Sequence, residues 1–323
     1  HFWPGREAEH RPRPFDWLGV VLLALSLVAI LAVLSNGQRY GWLSDRIVLY
    51  GIVGLGAGIA FVMSQLRSTS PLLDFSVLAN GHFASACLIA FVFGSGLFAT
   101  TYFIPVFVQT VLSYTPTQAG LLLAPAGLVL MIVMPLSGRL ADSIPAHYLM
   151  VGGLITLGSG FMMMSNVGTN TSFLSLALIV MVGRAGMGFI SAPLRTAATR
   201  VLPGDQLARG SGTINFFRQL GGSLGISALV ITVEHRTQFH GQALSATQTA
   251  DNHTSRELLA YVTQLLSDAG VALPNQQAGA LRYLGEVVMA QAQSRAFADA
   301  AIIISVVFFL TVLPALLLAR ART

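Results

Sequence analysis

Eight runs of roughly 20 apolar residues recur along this chain of 323 residues, and each is long enough, at about 1.5 Å per residue, to cross a hydrocarbon core about 30 Å thick. A backbone in lipid must satisfy its own N–H and C=O groups, so a chain patterned this way folds as a bundle of transmembrane helices. The runs cover about Asp16–Leu34, Ile47–Leu66, Phe83–Val108, Gln118–Leu136, Tyr148–Ser165, Phe173–Pro193, Ile214–Val233 and Ala296–Leu318. Composition agrees, with 54% hydrophobic and only 10% charged residues against roughly 25% charged in soluble domains. The fold class expected is all-α, a polytopic transmembrane helix bundle.

A formal charge of +5 raises the question of nucleic acid, but the basic residues are scattered at the ends of apolar runs and form no stripe beside aromatics. Membrane topology accounts for them, because cytoplasmic loops accumulate arginine. With the N-terminus placed inside, the inner segments hold Arg6, Arg11, Arg13, Arg67, Arg139, Arg195, Arg200, Arg209, Arg218, Arg320 and Arg322, and the short outer loops hold only Arg39 and Arg46. An even number of spans returns the C-terminus to the cytoplasm. Cys87 is the only cysteine and lies inside an apolar run, which excludes an intrachain disulfide.

The spans divide the chain into segments. Residues 1–15 read as a cytoplasmic linker, 16–66 as two helices, 67–82 as an amphipathic cytoplasmic connection, and 83–233 as five further spans. Residues 234–294 are mostly polar and lie outside; 295–319 hold the last span and 320–323 a cytoplasmic tail. Within the polar segment, Leu258, Leu259, Val262, Leu265 and Leu266 recur at helical spacing, as do Leu281, Leu284 and Val288, with Pro274 between the sets. A helical hairpin is expected there, with a solvated linker as the alternative. Gly54 and Gly58 carry the small-xxx-small spacing that lets helices approach closely.

Several residues point to chemistry. Arg184 sits in mid-span, where a charge costs at least about 2.5–3.5 kcal/mol and so faces a bundle interior or a watery cavity. It serves either substrate and proton electrostatics or anchorage to carbonyls. Asp299 lies a few residues into the last span, where desolvation favours the neutral acid and suits proton coupling, and where a carboxylate equally well caps a helix start. Asn215, Arg218 and Gln219 fall at helical spacing near the inner start of the seventh span and either line a vestibule or anchor headgroups. Gly221, Gly222 and Gly225 follow them and suggest close helix contact. Tyr102, Phe103 and Gln109 form either part of an aromatic pocket or an interfacial anchor. In the tight polar turn expected over Ser137–His147, Arg139 and Asp142 follow Gly138, one helical turn apart, where the carboxylate can cap a neighbouring helix or pair across the bundle. Pro105, Pro125 and Pro193 should loosen their helices, and Gly183, Gly186 and Gly188 are packing or hinge positions.

Read together, Tyr102-Phe-Ile-Pro-Val-Phe-Val-Gln109, Tyr114-Thr-Pro-Thr-Gln-Ala-Gly120, Pro135-Leu-Ser-Gly-Arg-Leu-Ala-Asp142, Gly183-Arg-Ala-Gly-Met-Gly-Phe-Ile-Ser-Ala-Pro193 and Gly210-Ser-Gly-Thr-Ile-Asn-Phe-Phe-Arg-Gln-Leu-Gly-Gly222 resemble the major facilitator superfamily. The resemblance is to its drug:proton antiporters with fourteen spans, and Phe15-Asp-Trp-Leu-Gly19 also fits. It covers essentially the whole chain, as two extra central helices plus the C-terminal six-helix half, and implies a missing N-terminal six-helix half. In that family a basic residue usually follows the turn's Asp and another stands a few positions on; Ser143 and the residues up to His147 depart from this and imply a weakened latch.

The resemblance further implies a proton-coupled secondary transporter in the bacterial inner membrane, driven by the proton gradient without a cofactor. Its cargo would be hydrophobic or cationic drugs and related amphipathic small molecules, with a membrane-fusion accessory protein as a further partner. A specific metabolite or siderophore exporter and an inactive truncated half are the alternatives. An intramembrane enzyme would need a nucleophile and base or metal ligands at bilayer depth, and all seven histidines lie outside or at the ends of the spans. A channel would need a charged ring or a carbonyl filter.

Overall fold

The structure, a computed structural model, describes residues 16–68, 71–73, 75–169, 171–200, 207–249 and 251–317, with backbone alone at 76, 197–200 and 207–209. The linker 1–15 and the tail 320–323 lie outside the described residues. Among the described residues there are ten helices: α1 (Trp17–Tyr40), α2 (Asp45–Arg67), α3 (Phe75–Leu78), α4 (Gly81–Thr110), α5 (Pro116–Ser143), α6 (Ala146–Met164), α7 (Phe173–Arg200), α8 (Leu207–Ala246), α9 (His253–Asp268) and α10 (Leu273–Leu317). Among the described residues, eight of them are long and apolar enough to cross a membrane, all but α3 and α9. They group into two compact units, His1–Asn80 and Gly81–Thr323.

In the first unit α1 and α2 form an antiparallel hairpin held at both depth and end. Asp16 caps α1 by accepting the Gly19 N–H at 2.8 Å, and its other oxygen accepts from the Gln65 amide at 2.7 Å. The Gln65 carbonyl in turn accepts the N–H groups of Leu72 and Leu73, so one buried side chain closes the base of the hairpin. Midway along, Ser26 donates to the carbonyl of Gly54 at 2.8 Å, and a Cβ on Gly58 would come within 2.9 Å of the same hydroxyl. Among the described residues of the connection after α2 stands the single turn α3.

The second unit holds α4–α10. Its principal pairings are α4 with α8, α5 with α7, and α6 with α7, while α10 packs on α4, α6, α8 and α9. Lipid offers no hydrophobic drive between helices, so close approach by small residues supplies the packing. At the α4–α8 crossing, a Cβ on Gly94 would collide with the Arg218 carbonyl, and one on Gly221 with the Phe91 carbonyl. Gly222 and Gly225 admit Phe98 and Ser95 in the same way. Gly186 meets the Leu157 backbone, Gly188 admits Val133 of α5, and Gly183 is the surface against which Gly160 rests. An aromatic cluster fills the centre, with Phe103 edge-on to Phe161 and Phe297, and Phe161 stacked on Phe308.

Helices α4, α5 and α7 run on through their prolines. Pro193 cannot donate to the carbonyl of Phe189, and that carbonyl instead accepts from Ser137 of α5 at 3.3 Å. Ser137 is fully buried, and a neighbouring helix thus supplies the hydrogen bond that proline removes.

Within 234–294 the two helical sets expected on either side of Pro274 fall in α9 and the first part of α10, which pack on each other, and the flanking spans run on into the segment. Helix α8 continues past Val233 to Ala246, and the last span is the C-terminal part of a single 45-residue helix, α10. Pro274 lies in the first turn of α10, where its missing N–H is not needed. Gly270, at φ +76°, turns the chain from α9 into α10. The polarity that ends a hydropathy run does not end a helix whose partner continues beside it.

Replacing Gly221 with Ala is expected to destabilise the protein by about 1–3 kcal/mol, because a backbone carbonyl cannot yield as a flexible side chain does. Thermal unfolding in detergent measures this, with Gly120→Ala, where a Cβ meets nothing within 4 Å, as the neutral comparison.

Candidate functional site

Because consecutive helices alternate in direction, the second unit has two ends. One gathers the α4–α5 and α6–α7 connections with α9, and the other gathers the α5–α6 and α7–α8 connections. The charged residues read from the sequence fall into three groups along this axis.

At the first end lies Asp299. It is well inside α10, far from the start at Leu273, so the helix-capping role open in the sequence does not apply. Its Oδ2 is 2.8 Å from His240 Nε2 and 3.5 Å from Arg236 Nε, both on the extension of α8. His240 is well covered, and Asp299 keeps about a third of its side chain open, at 30%. The cluster therefore ties α8 to α10 with a carboxylate, an imidazole and a guanidinium. His240 and Arg236 were not singled out in the sequence, since both lie past the apolar run that ends at Val233.

One turn deeper, a cavity of about 250 Å³ opens between α4, α8 and α10, lined by Phe91, Ser95, Leu224, Thr232, Ala300 and Val307 among others. Its hydroxyls are spent on their own helices, Ser95 on the Val92 carbonyl and Thr232 on the Ala228 carbonyl.

Arg184 lies at mid-depth on α7, half-buried. The partner it reaches is the Met187 sulfur at 3.9 Å, and among the described residues no carboxylate stands within ion-pair distance. A small void beside it is walled by Thr100, Phe103, Phe161 and Val180. Phe103 is fully buried in the aromatic cluster. Tyr102, the next residue, is 40% exposed, and Gln109 is exposed and donates to the Pro105 carbonyl of its own helix. At about 100° per residue Tyr102 and Gln109, seven apart, share an exposed face of α4 while Phe103 turns inward, so the three do not line one pocket.

At the second end a larger cavity, of about 540 Å³, opens between α4, α5, α7 and α8. Asn215 and Arg218 line it together with Arg195 of α7, and Arg218 Nη2 donates to Asn215 Oδ1 at 2.7 Å. Gln219 is exposed and stands apart from the lining. The tight turn expected from Ser137 is instead helix up to Ser143, so Gly138, Arg139 and Asp142 are the last turns of α5. Arg139 and Asp142 are exposed and pair with no described residue, and the next helix starts after Pro145 without a side-chain cap. A Cβ on Gly138 would have room.

The arrangement is a bundle of helices long and apolar enough to span a membrane, with charged groups at three depths and cavities between the helices. A family profile described as Major Facilitator Superfamily matches residues 64–226, and the chain belongs to that superfamily. It is 33% identical over 239 residues to the multidrug resistance protein B homolog of Mycobacterium tuberculosis, covering 72% of this chain and 44% of that one. It is also 29% identical over 245 residues to the multidrug export protein EmrB of Haemophilus influenzae, covering 74% and 48%. In fold it is similar to a bacterial homolog of the human lysosomal transporter Spinster, solved in an inward-facing and occupied conformation. The TM-score is 0.55 at 15% identity, over 94% of this chain and 65% of that one. The chain spans about half the length of the curated relatives it matches.

The α8–α10 tie should be measurable by a double-mutant cycle. Asp299→Asn and His240→Gln are each expected to lower stability, with a coupling of about 0.5–1 kcal/mol between them. Strictly additive losses would show that the pair is not formed.

Proposed function

We propose that this chain contributes one wall of a proton-coupled exporter of amphipathic small molecules in the bacterial inner membrane, working by alternating access with both ends of the segment cytoplasmic. The observation that carries the reading is the Asp299–His240–Arg236 cluster, a titratable tie between two helices that both pack on α4. A proton arriving at Asp299 removes the charge that holds Arg236, and a proton on His240 strengthens its hold on an ionised Asp299. Proton occupancy therefore biases the α8–α10 arrangement, which is what coupling an ion gradient to a two-state bundle requires. Arg295 precedes Asp299 by one turn of α10.

Arg184 serves this reading as a fixed positive charge at mid-depth. The likeness to the named multidrug proteins supports the cargo class, and a further helical half supplies the opposite wall of the transport cavity. The proton gradient is the energy source and no cofactor is needed. A membrane-fusion protein would extend the route outward.

The test is efflux of fluorescent amphipathic dyes, one anionic, one neutral and one cationic, from cells with and without a proton gradient. Export of at least one dye, abolished by a protonophore, is expected, and Asp299→Asn and Arg184→Ala at matched expression should each reduce it about tenfold or more. Gradient-independent dye retention by the unaltered protein would remove the exporter reading. Normal transport by both variants would make the two residues structural.

A further inference from the structure

Two features of the second unit follow one another along the same pair of helices. On α8, Thr232 lines the 250 Å³ cavity, and Arg236 and His240 come after it at steps of one turn. On α10, Val307 and Ile303 line the same cavity, and Asp299 and Arg295 stand one and two turns beyond Ile303 toward the same end. Residues four apart share a face of a helix, so an apolar pocket within the span leads to a group of charges at its end.

The cavity suits hydrocarbon. Its walls are apolar, and Ser95 and Thr232 spend their hydroxyl protons on the carbonyls of Val92 and Ala228, which leaves a water too few partners. An empty void forfeits dispersion contacts along its lining. Ile303 and Val307 stand at its edge, 46% and 41% exposed, on a side of α10 that also exposes Val306 and Leu310. In a membrane span the medium against such a surface is the acyl chains of the bilayer. Apolar cavities of about 150 Å³ already take a benzene-sized molecule. This one has room for a run of methylenes, yet it falls short of the roughly 300–1,000 Å³ of sites for drug-sized ligands.

The charges select which chain enters. Arg236 meets Asp299 through Nε at 3.5 Å, longer than the about 2.7–2.9 Å of a strong charge-assisted bond, and its terminal nitrogens remain for another acceptor. The Phe239 ring, 5.8 Å from the guanidinium carbon, steadies the group, and 43% of the side chain is exposed. Arg295 is exposed, and among the described residues no carboxylate but Asp299 comes within ion-pair distance of either arginine. Glu234 lies about 200° round α8 from Arg236. Positions 170 and 250, the two outside the described residues in the connections at this end, are Asn and Ala. Asp299 therefore offsets one arginine and leaves a positive charge over.

We infer that this groove binds an anionic phospholipid of the bilayer, with an acyl chain in the cavity between Phe91, Leu224 and Ile303 and the phosphate on the terminal nitrogens of Arg236. The phosphate and Asp299 compete for one guanidinium, and Arg295 adds to the pull on the phosphate. The inference does not depend on the exporter reading, since occupancy of the groove needs no transport.

The experiment is native mass spectrometry of the intact purified protein in neutral detergent, titrated with dioleoylphosphatidylglycerol or dioleoylphosphatidylcholine. Phosphatidylglycerol is expected to bind about fivefold to tenfold more tightly. Arg236→Gln should bring it down to the phosphatidylcholine level, and unchanged phosphatidylcholine binding shows that the variant is folded. Asp299→Asn removes the competitor and should tighten phosphatidylglycerol binding by about threefold. Ala228→Phe, which fills the cavity from an exposed position, should weaken both lipids. A phosphatidylglycerol with a diazirine in the distal half of one acyl chain should label α4, α8 and α10 at the cavity. Labelling confined to other helices would overturn the site, as would equal binding of the two lipids, a preference that survives Arg236→Gln, or weaker binding by Asp299→Asn. Displacement of the bound lipid by an equal concentration of free oleate would make the occupant a fatty acid and overturn the phospholipid assignment. A dimer in place of any lipid adduct would make this surface an interface between copies and overturn it too.

Discussion

The backbone-to-backbone crossing of α4 and α8 is the constraint from which the arrangement of the second unit follows. Gly94 lies against the Arg218 carbonyl and Gly221 against the Phe91 carbonyl, so at this level the two helices leave no room for a side chain between them. The 250 Å³ apolar cavity lies on the side of α4 that carries Phe91, Ser95 and Ala99, and the 540 Å³ cavity, shared with α5 and α7, on the side that carries Phe93 and Leu97. Arg218 is placed by the same contact. Its carbonyl is pinned by α4, and its side chain, on the inner flank of the crossing, is steadied by Asn215. A glycine pair thus decides where a guanidinium is presented.

Serine plays the complementary part of joining helices through carbonyls. Ser26 reaches Gly54, Ser137 reaches Phe189, and Ser305 reaches Gly158 at 2.8 Å. Two of these carbonyls belong to glycines, where the missing side chain exposes the oxygen to a neighbour, and the third was freed by Pro193. Such bonds add about 0.6 kcal/mol each on average in a membrane, which is too little to drive assembly but enough to choose between helix rotations that pack equally well.

The spans, their order and the packing glycines of α7 and α8 were legible in the sequence because lipid solvation imposes a length and small residues impose proximity. What was not legible depends on partners distant in sequence. Asp299 read as a possible helix cap because hydropathy began the last span at Ala296, whereas the helix begins at Leu273 and the carboxylate's partners lie about 60 residues earlier. Tyr102, Phe103 and Gln109 read as one pocket because they are close in sequence, but helical rotation keeps Tyr102 and Gln109 on one exposed face and turns Phe103 into the core. Ser137 drew no notice beside Gly138, Arg139 and Asp142, although it is the buried member of that string and the one that binds another helix. The family resemblance was readable without any of this, since it rests on strings of residues and not on which of them meet.

Helix α8 carries both Arg218 and His240, separated by about 22 residues or roughly 33 Å, close to the thickness of the hydrocarbon core. No proline interrupts it between them. A change at the Asp299–His240 tie is therefore delivered to Arg218 by the displacement of one continuous rod, pivoted where Gly221 touches α4. The pivot sits near Arg218 and far from His240, so the two arms are unequal, about one turn against five. A displacement at the long arm is reduced at the short one. On the proton-coupled reading proposed above, a change at Asp299 would shift Arg218 by a fraction of the motion at the other end, without unpacking the crossing that holds the second unit together.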